Sequence, residues 1–390
     1  MNLTTKYLAK VVLEKIIITL LGFTLLFTFF NFIAELDEIG KGTFFITTIF
    51  SFVVLKIPNV TYEIIPIATL IGSLWAFSEL ASTSEFTAFR VGGLSPNKAL
   101  IIVFIIGLPL TLFTLFLSEV LIPTSEEYSR NWGGVVIKNQ STSNFKSGFW
   151  IRDRFPSPRK NSNNTVKERI LNIKTINTDK SLIDIKIYDF DKNSKLISVT
   201  SANYGNFEVS NTKNFKKTAT QSKIKNLNYW NLKSAKVLVL NNEGSVKLDT
   251  YSHLSINTKL SSKTIEALTV KPDKMSATEL SSFINYLDSG KQKTNRYEIA
   301  YWKKVFYPLL LWIMIFIALP AAYIHSRKGS IGFKIFMGMI VGITFHLGNS
   351  LFSHLGLLNT WPPITVAFVP SFLALIFGVF VFSWAQKNSI

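Results

Sequence analysis

Long apolar stretches with few or no charged residues occur in both end regions of this 390-residue chain, and a polar stretch of 175 residues (122–296) separates them. A helix of about 20 apolar residues is long enough to cross the hydrocarbon core of a bilayer. Three such stretches precede the polar segment and three follow it. The pattern predicts membrane helices over residues 16–34, 44–77, 99–117 and 305–324, and two more within 335–386.

Two of these stretches are longer than one crossing requires. Residues 335–386 contain no Lys, Arg, Asp or Glu, and the sequence NTWPP at 359–363 divides them into two helices. Residues 44–77 include Pro58 and Pro66, so we expect one long, kinked helix there. The sequence therefore predicts six membrane helices.

The second predicted helix carries two charges, Lys56 and Glu63, which are seven residues apart and so share a face. Charges inside a membrane are expensive and are usually paired or turned toward a cavity. An ion pair between them across Pro58 is the favoured interpretation, and contact with a substrate is the alternative.

The polar segment has the pattern of β-strands. Residues 183–188 and 236–240 are rich in β-branched residues, mostly alternate, and are followed by turn-forming residues. Many short strands at this spacing are typical of a sandwich or jelly roll. Residues 156–167, dense in Ser, Asn, Pro and basic residues, are predicted to be a mobile loop. Near the end of the segment, Ser276 and Glu279 have the spacing of a capping box that begins a helix.

The fold class that follows is an α-helical integral membrane protein with six transmembrane helices and an inserted all-β, jelly-roll-like domain. We expect residues 1–121 to hold the first three helices, residues 122–296 the β domain and residues 297–390 the last three helices.

Lys and Arg cluster in the short loops on one side of the predicted helices, and the positive-inside rule makes that side cytoplasmic. Both termini are then cytoplasmic and the β domain is exported. The exported segment is itself basic, with 29 Lys and Arg against 15 Asp and Glu in a chain of net charge +18. An exported basic domain argues against nucleic acid as a partner. The alternatives are phosphate groups of anionic lipid or glycolipid, and a merely solvated basic surface.

A short cytoplasmic segment, residues 79–95, joins the second and third predicted helices. Ser84 is expected to cap a short helix that has Glu85 in its first turn. Gly92 and Gly93 are expected to end it, and Ser95 followed by Pro96 to begin the next helix.

This short predicted helix is amphipathic. Phe86 and Phe89 are three residues apart and share a face beside Glu85 and Arg90. Two aromatic rings displayed next to charges are suited to binding a partner protein. The alternative is an interfacial loop whose Phe residues face lipid.

The segment SEF at 84–86, followed by Arg90 and then GLS at 93–95, resembles the coupling segment of the lipopolysaccharide export permease family (LptF/LptG). Other segments of the chain resemble this family in order: FIAELDEIGKG at 32–42, EVLIPTSEEYSRN at 119–131, GFWIRD at 148–153, YEIAYWKKVFYPL at 297–309 and NTWPP at 359–363. The first and third of these favour the LptG type of the family over the LptF type.

The resemblance implies a permease subunit of an ABC transporter in the inner membrane of a Gram-negative bacterium. Such a transporter extracts lipopolysaccharide and passes it to a periplasmic bridge protein (LptC/LptA type). A second permease (LptF type) and a cytoplasmic ATPase dimer are the implied partners. The residues implied to dock the ATPase are Glu79, Glu85, Phe86, Phe89, Arg90 and Gly93.

The chain is not expected to be an enzyme or to hold a cofactor. It contains no G-x-x-x-x-G-K-[ST] sequence, so ATP hydrolysis is expected on a separate subunit. An intramembrane enzyme is the first rival class, but HExxH, G-x-S-x-G and cysteine are all absent from the sequence. A membrane anchor that displays the β domain is the second, although one helix would be enough for anchoring.

The family resemblance makes the first and fifth helices the expected lateral gate. Phe23, Phe27 and Phe30 recur at helical spacing and form an aromatic face for acyl chains, with packing against membrane lipid as the alternative. Asn31 and Lys41 complete the predicted substrate contacts. Asp37 and Glu38 stand where relatives often have lysines, which argues against charge-based capture there.

His346 and His354 lie eight residues apart in the fifth helix, with Asn349 and Ser350 between them. Two histidines without carboxylates or cysteines make a poor metal site. A polar helix face is the favoured interpretation, and no metal site is predicted.

Overall fold

The computed structural model describes residues 3–36, 46–136, 148–153, 168–176, 181–191, 193–209, 228–240, 245–258, 270–323 and 331–387. The chain divides into two compact units. The membrane unit comprises residues 1–129, 272–281 and 294–390, and the β unit comprises residues 130–271 and 282–293. Lys41 and the predicted loop at 156–167 lie outside the described residues.

The membrane unit is helical. Its helices, together with two that lead into and out of the β unit, are α1 (Leu3–Leu36), α2 (Ile46–Ser82), α3 (Glu85–Val91), α4 (Pro96–Phe116), α5 (Ile122–Val136), α6 (Ala277–Ser289), α7 (Asn295–Ala318), α8 (Ile331–Leu358) and α9 (Pro363–Lys387). Short 3₁₀ turns lie at Pro272–Lys274 and Leu319–Ala322.

Six helical segments of the described chain are long and apolar enough to cross a membrane. They are Leu3–Leu36, Ile46–Ser82, Lys98–Ser129, Asn295–Ala322, Ile331–Leu358 and Pro363–Lys387. This confirms the six predicted helices, including the single long helix that contains Pro58 and Pro66 and the division of the last apolar stretch. Most of them extend past the apolar stretches, because neighbouring polar residues continue the same helices.

The membrane unit is built around α2. Its most apolar window is 72% buried, whereas those of α1 and α8 are each only 11% buried. Close packing of α1 on α2 depends on Gly72, where a Cβ atom would lie 2.5 Å from Ile16 Cα. The helices α1 and α8 therefore leave most of their apolar surface for lipid or for another protein.

The third span does not end where the sequence predicts. A π-helical turn, Leu117–Leu121, joins α4 to α5 and carries the helix on to Val136. The chain comes back to this helix after the β strands. There Glu119 accepts a hydrogen bond from the Ala277 backbone N–H at 3.0 Å, and Lys274 pairs with Glu126 at 2.8 Å.

The capping box at the start of α6 is confirmed. The backbone N–H of Ser276 donates to Glu279 Oε2 at 2.9 Å, and the backbone N–H of Glu279 donates to Ser276 Oγ at 3.2 Å. Two backbone donors at the beginning of the helix are thereby satisfied.

The β unit contains one antiparallel sheet of six described strands in sequential order. The strands are β1 (Phe149–Asp153), β2 (Glu168–Ile176), β3 (Leu182–Phe190), β4 (Leu196–Val209), β5 (Asn228–Leu240) and β6 (Val246–Thr258). The inserted β domain is confirmed. Its described strands pair as a meander, without the crossings between sheets that a jelly roll has.

The sheet is strongly curled. Arg169 Nη1 on β2 donates to the carbonyl oxygen of Asn257 on β6 at 3.0 Å, although the two strands are four places apart in the sheet. Four places in a flat sheet would separate strands by about 19 Å. Thr258 Oγ1 on β6 likewise donates to Asp153 Oδ2 on β1 at 2.7 Å. The last strand therefore approaches the first two, and the sheet encloses its own apolar core.

Candidate functional site

The connection between α2 and α3 turns sharply at Ser84. Its φ of 61° places it in the left-handed region, and its side chain makes no capping hydrogen bond. The prediction that the Ser84 side chain caps α3 was wrong, because a residue in this conformation makes the turn with its backbone. Glu85 lies in the first turn of α3, as predicted.

The end of α3 is confirmed in detail. The backbone N–H of Leu94 donates to the Phe89 carbonyl at 3.0 Å, and that of Gly93 donates to the Arg90 carbonyl at 3.1 Å. With Gly93 at φ 97°, these bonds form a Schellman motif. Ser95 then caps α4 by accepting from the Lys98 N–H at 3.4 Å.

The aromatic residues of α3 face inward. Phe86 is only 2% exposed and packs edge-on against Tyr323, with ring centroids 5.1 Å apart. The half-buried ring of Phe89 lies 6.0 Å from that of Tyr7. The prediction that α3 displays both rings was therefore wrong for Phe86, since the residue that covers it comes from a distant part of the sequence.

The charged residues of α3 and of the end of α2 contact neighbouring parts of the membrane unit. Tyr7 donates a hydrogen bond to Glu85 Oε2 at 2.9 Å, and Lys15 pairs with Glu79 at 2.7 Å. The Arg90 guanidinium lies over the Tyr323 ring at 5.1 Å. We call residues 79–95 the α3 segment; it is attached to α1 and to the residues after α7, and its outer side is exposed at Val91.

Lys56 and Glu63 do not pair with each other. Lys56 forms an ion pair with Glu35 at the end of α1, and Glu63 accepts a hydrogen bond from Asn59 at 2.8 Å. The prediction of a pair across Pro58 was wrong because a carboxylate on the neighbouring helix lies closer to the lysine. Glu63 instead lines a cavity.

The predicted substrate-contacting residues of α1 differ in exposure. Phe27 and Phe30 are 48% and 57% exposed on the surface of the membrane unit. Phe23 is half-buried and packs against the core of the unit, and Asn31 is also half-buried. Of the three predicted aromatic contacts, Phe27 and Phe30 therefore have rings exposed enough to contact acyl chains.

A cavity of about 730 Å³ lies among α2, α7, α8 and α9 in the membrane unit. Charged residues of α7, namely Arg296, Lys303 and Lys304, line it together with Glu63. The sequence analysis missed this site, although two adjacent lysines directly before an uncharged helix were a usable signal. His346 and His354 also line the cavity, and the described residues hold no group of three side chains suited to a metal ion.

Tyrosines and a buried lysine support one wall of the cavity. The rings of Tyr62 and Tyr307 stack with centroids 4.1 Å apart, and the Tyr307 hydroxyl donates to the Tyr62 carbonyl. Lys304 Nζ donates to Ser118 Oγ in the π-helical turn at 2.9 Å. The Lys304 ammonium group therefore has a hydrogen-bond acceptor within the protein.

Six helices long and apolar enough to cross a membrane, together with an inserted β unit, define a multi-pass membrane protein. The chain belongs to the lipopolysaccharide export system permease LptF/LptG family, whose sequence model matches residues 6–384. The family is one of permeases rather than of enzymes.

Two relatives are similar to the chain over nearly its whole length. The lipopolysaccharide export system permease protein LptG of Haemophilus influenzae is 27% identical over 380 residues, 96% of either chain. LptG of Escherichia coli K12 is 25% identical over 366 residues, 94% of either chain. Both relatives carry the LptG name, which confirms the predicted resemblance to the LptG type.

Proposed function

We propose that this chain is a permease subunit of an ABC transporter that extracts lipopolysaccharide from the inner membrane and passes it to a periplasmic bridge. Membership of the permease family across residues 6–384 supports the role in export. The observation that carries the coupling to an ATPase is the α3 segment, a short charged helix that is anchored in the membrane unit by Phe86.

The α3 segment is proposed to transmit movement between the ATPase and the membrane helices. The buried side chain of Phe86 packs α3 against the membrane unit. Glu85 and Arg90 are half-buried, so their charged groups remain partly accessible to a partner protein. Because α3 is packed against the membrane unit on one side and carries charged residues on the other, it is suited to move together with the membrane helices when a partner binds. Phe86 thus acts as an internal anchor in this proposal, and not as a contact with the ATPase.

The proposed orientation places both termini and the α3 segment in the cytoplasm and the β unit in the periplasm. Lys6, Lys10 and Arg90 lie near the proposed cytoplasmic ends of the helices, as the positive-inside rule requires. The β unit follows the opposite end of the third span. In the periplasm, it is proposed to pass lipopolysaccharide to a bridge protein of the LptC/LptA type.

A second permease of the LptF type is the proposed partner within the membrane. The low burial of α1 and α8 supports this, because large apolar surfaces on these two helices are left to other molecules. Phe27 and Phe30 on α1 are the proposed contacts with the acyl chains. Asn31, near the end of that helix, and Lys41, outside the described residues, remain proposed substrate contacts.

Replacing Glu85 by Ala tests the coupling. In a strain that depends on this chain, we expect loss of growth and loss of the ATPase from the purified complex. Glu14→Ala is the matched control, because Glu14 is an exposed carboxylate on α1. If both variants retain the ATPase and support growth, the chain is better described as a membrane anchor for the β unit.

A further inference from the structure

The cavity among α2, α7, α8 and α9 has a charged part and an apolar part. Arg296 and Lys303 line it from the beginning of α7, whereas Phe306 and Leu310 line it further along the same helix. At 1.5 Å per residue, Arg296 and Leu310 are about 21 Å apart along the helix axis. One helix thus supplies cations at one end of the cavity and an apolar wall toward the other.

Lys303 is a cation without a bonded counter-ion. Lys304 beside it donates a hydrogen bond to Ser118. Within the residues that the structure describes, Lys303 Nζ makes neither a hydrogen bond nor an ion pair, although Asp273 acts on it electrostatically. A half-buried charge in this condition is unfavourable, and an anion in the cavity would stabilise it.

The acidic residues of the lining do not cancel its positive charge. Glu63 and Asp273 face three cations there, and Glu63 is already hydrogen-bonded by Asn59. His346 and Asn349 of α8 add side chains that can donate hydrogen bonds to an anion. The lining therefore favours an anionic ligand over a cationic one.

The position of the lysines along α7 indicates the chemical class of the anion that the cavity binds. Lys303 and Lys304 directly precede the uncharged stretch 305–324. The rest of α7 to Ala318 and the 3₁₀ turn to Ala322 extend about 29 Å beyond Lys304, which is close to the thickness of the hydrocarbon core. The lysines therefore lie at the level of the lipid head groups, where phosphate is the common anion, and Phe306 and Leu310 lie at the level of the acyl chains.

We propose that this cavity binds the phosphate head group of an anionic membrane lipid, with Lys303 and Arg296 as its cationic contacts. The beginning of an acyl chain lies along the apolar wall. A phospholipid and a phosphorylated glycolipid offer the same chemistry, and the proposal does not depend on the transport function proposed above.

The test measures lipid bound to the full-length chain, purified from native membranes in mild detergent with any subunits that remain attached. Native mass spectrometry follows the addition of phosphatidic acid or of diacylglycerol with the same chains. We expect phosphatidic acid to be retained and diacylglycerol not to be. The double variant Lys303→Gln, Arg296→Gln is expected to lower bound phosphatidic acid by about tenfold or more, since it removes two charge-assisted contacts.

Two controls keep the result interpretable. Lys303→Arg retains the charge and is expected to retain the lipid, while Lys387→Gln removes an exposed lysine at the end of α9 and is expected to have no effect. Equal retention of phosphatidic acid and diacylglycerol would overturn the proposal, and so would an equal loss in the Lys387 variant.

Competition identifies the source of the phosphate. Displacement of phosphatidic acid by phosphatidylglycerol supports a resident phospholipid, and displacement by lipopolysaccharide alone supports the glycolipid. Displacement by millimolar inorganic phosphate without lipid would overturn the lipid assignment. Since none of these measurements involves transport, a failure here leaves the export function to be tested separately.

Discussion

The hydroxyl of Tyr7 on α1 donates a hydrogen bond to the carboxylate of Glu85 on α3, with 2.9 Å between the oxygen atoms. Lys15 on the same helix pairs with Glu79. The beginning of α1 is thus joined twice to the α3 segment, and further along the same helix Phe30 is exposed. One continuous helix connects the proposed ATPase-docking site to the proposed substrate contact, with about 35 Å between Tyr7 and Phe30 along its axis.

Replacing Tyr7 by Phe removes the hydroxyl donor and keeps the ring that lies near Phe89. We expect little change in thermal stability, because the bonded atoms are exposed to solvent. Lipopolysaccharide export is expected to fall, but by less than in Glu85→Ala. The measurement is the amount of lipopolysaccharide exported from whole membranes. Tyr128→Phe is the control, because Tyr128 is an exposed tyrosine of α5. Unchanged export in the Tyr7 variant would show that this hydrogen bond does not contribute to the coupling between the α3 segment and α1.

Replacing Phe86 by Ala should release α3 from the membrane unit. The buried ring contacts Tyr323, and removal of a buried Phe side chain typically costs about 3–5 kcal/mol. Hydrogen exchange in the α3 segment is therefore expected to become much faster. Val91→Ala is the matched control, since Val91 is 86% exposed, and it is expected to change local stability by less than about 0.5 kcal/mol. Similar exchange in the two variants would refute the anchoring role.

Gly93 and Gly92 allow a direct comparison of backbone strain. Gly93 has φ 97°, so an Ala there should destabilise the end of α3 by about 1–2 kcal/mol. Gly92 has φ −71°, and its added Cβ would be 3.4 Å from the Ala88 carbonyl oxygen, an ordinary contact. Exchange of the Leu94 amide, which is bonded to Phe89, reports the difference. Equal effects at both positions would contradict the Schellman geometry.

The buried ion pair of the β unit should be important for the stability of that unit. Arg169 and Asp189 are 5% and 6% exposed and pair at 2.6 Å, and Arg169 also bonds the carbonyl of Asn257 on β6. Arg169→Ala leaves Asp189 buried and uncompensated, which typically costs about 3–5 kcal/mol.

The matched control for this pair is Lys174→Ala, which breaks the exposed pair with Asp184. That change is expected to cost at most about 1 kcal/mol. Hydrogen exchange of β2 and β6 in the full-length chain measures both variants. If Arg169→Ala is as mild as Lys174→Ala, the pair does not hold the curled sheet together.

Features set by local sequence could be predicted. The six spans follow from the length of the apolar stretches, and the capping box follows from the spacing of Ser276 and Glu279. The end of α3 at Gly93 follows from the freedom of glycine to adopt a positive φ. In each of these cases the deciding atoms lie within a few residues of one another or within one helix.

Features set by packing between distant segments could not be predicted. The spacing of Lys56 and Glu63 was correct for one helix face, but the ion pair forms with Glu35 on another helix. The amphipathic pattern of α3 led to the prediction that both rings are displayed, but Tyr323, from a distant part of the sequence, covers Phe86. The cavity is formed by four helices, and the adjacent lysines of α7 could indicate only one of its walls.

The most direct test of the account is ATP-dependent extraction of lipopolysaccharide in proteoliposomes. The chain and the subunits that co-purify with it are reconstituted with lipopolysaccharide, and release to a soluble periplasmic acceptor protein is measured with and without ATP. We predict ATP-dependent release by the unmodified chain and by Glu14→Ala, and little release by Glu85→Ala. Equal release by Glu85→Ala, or none by the unmodified chain while ATP is being hydrolysed, would contradict a coupled permease.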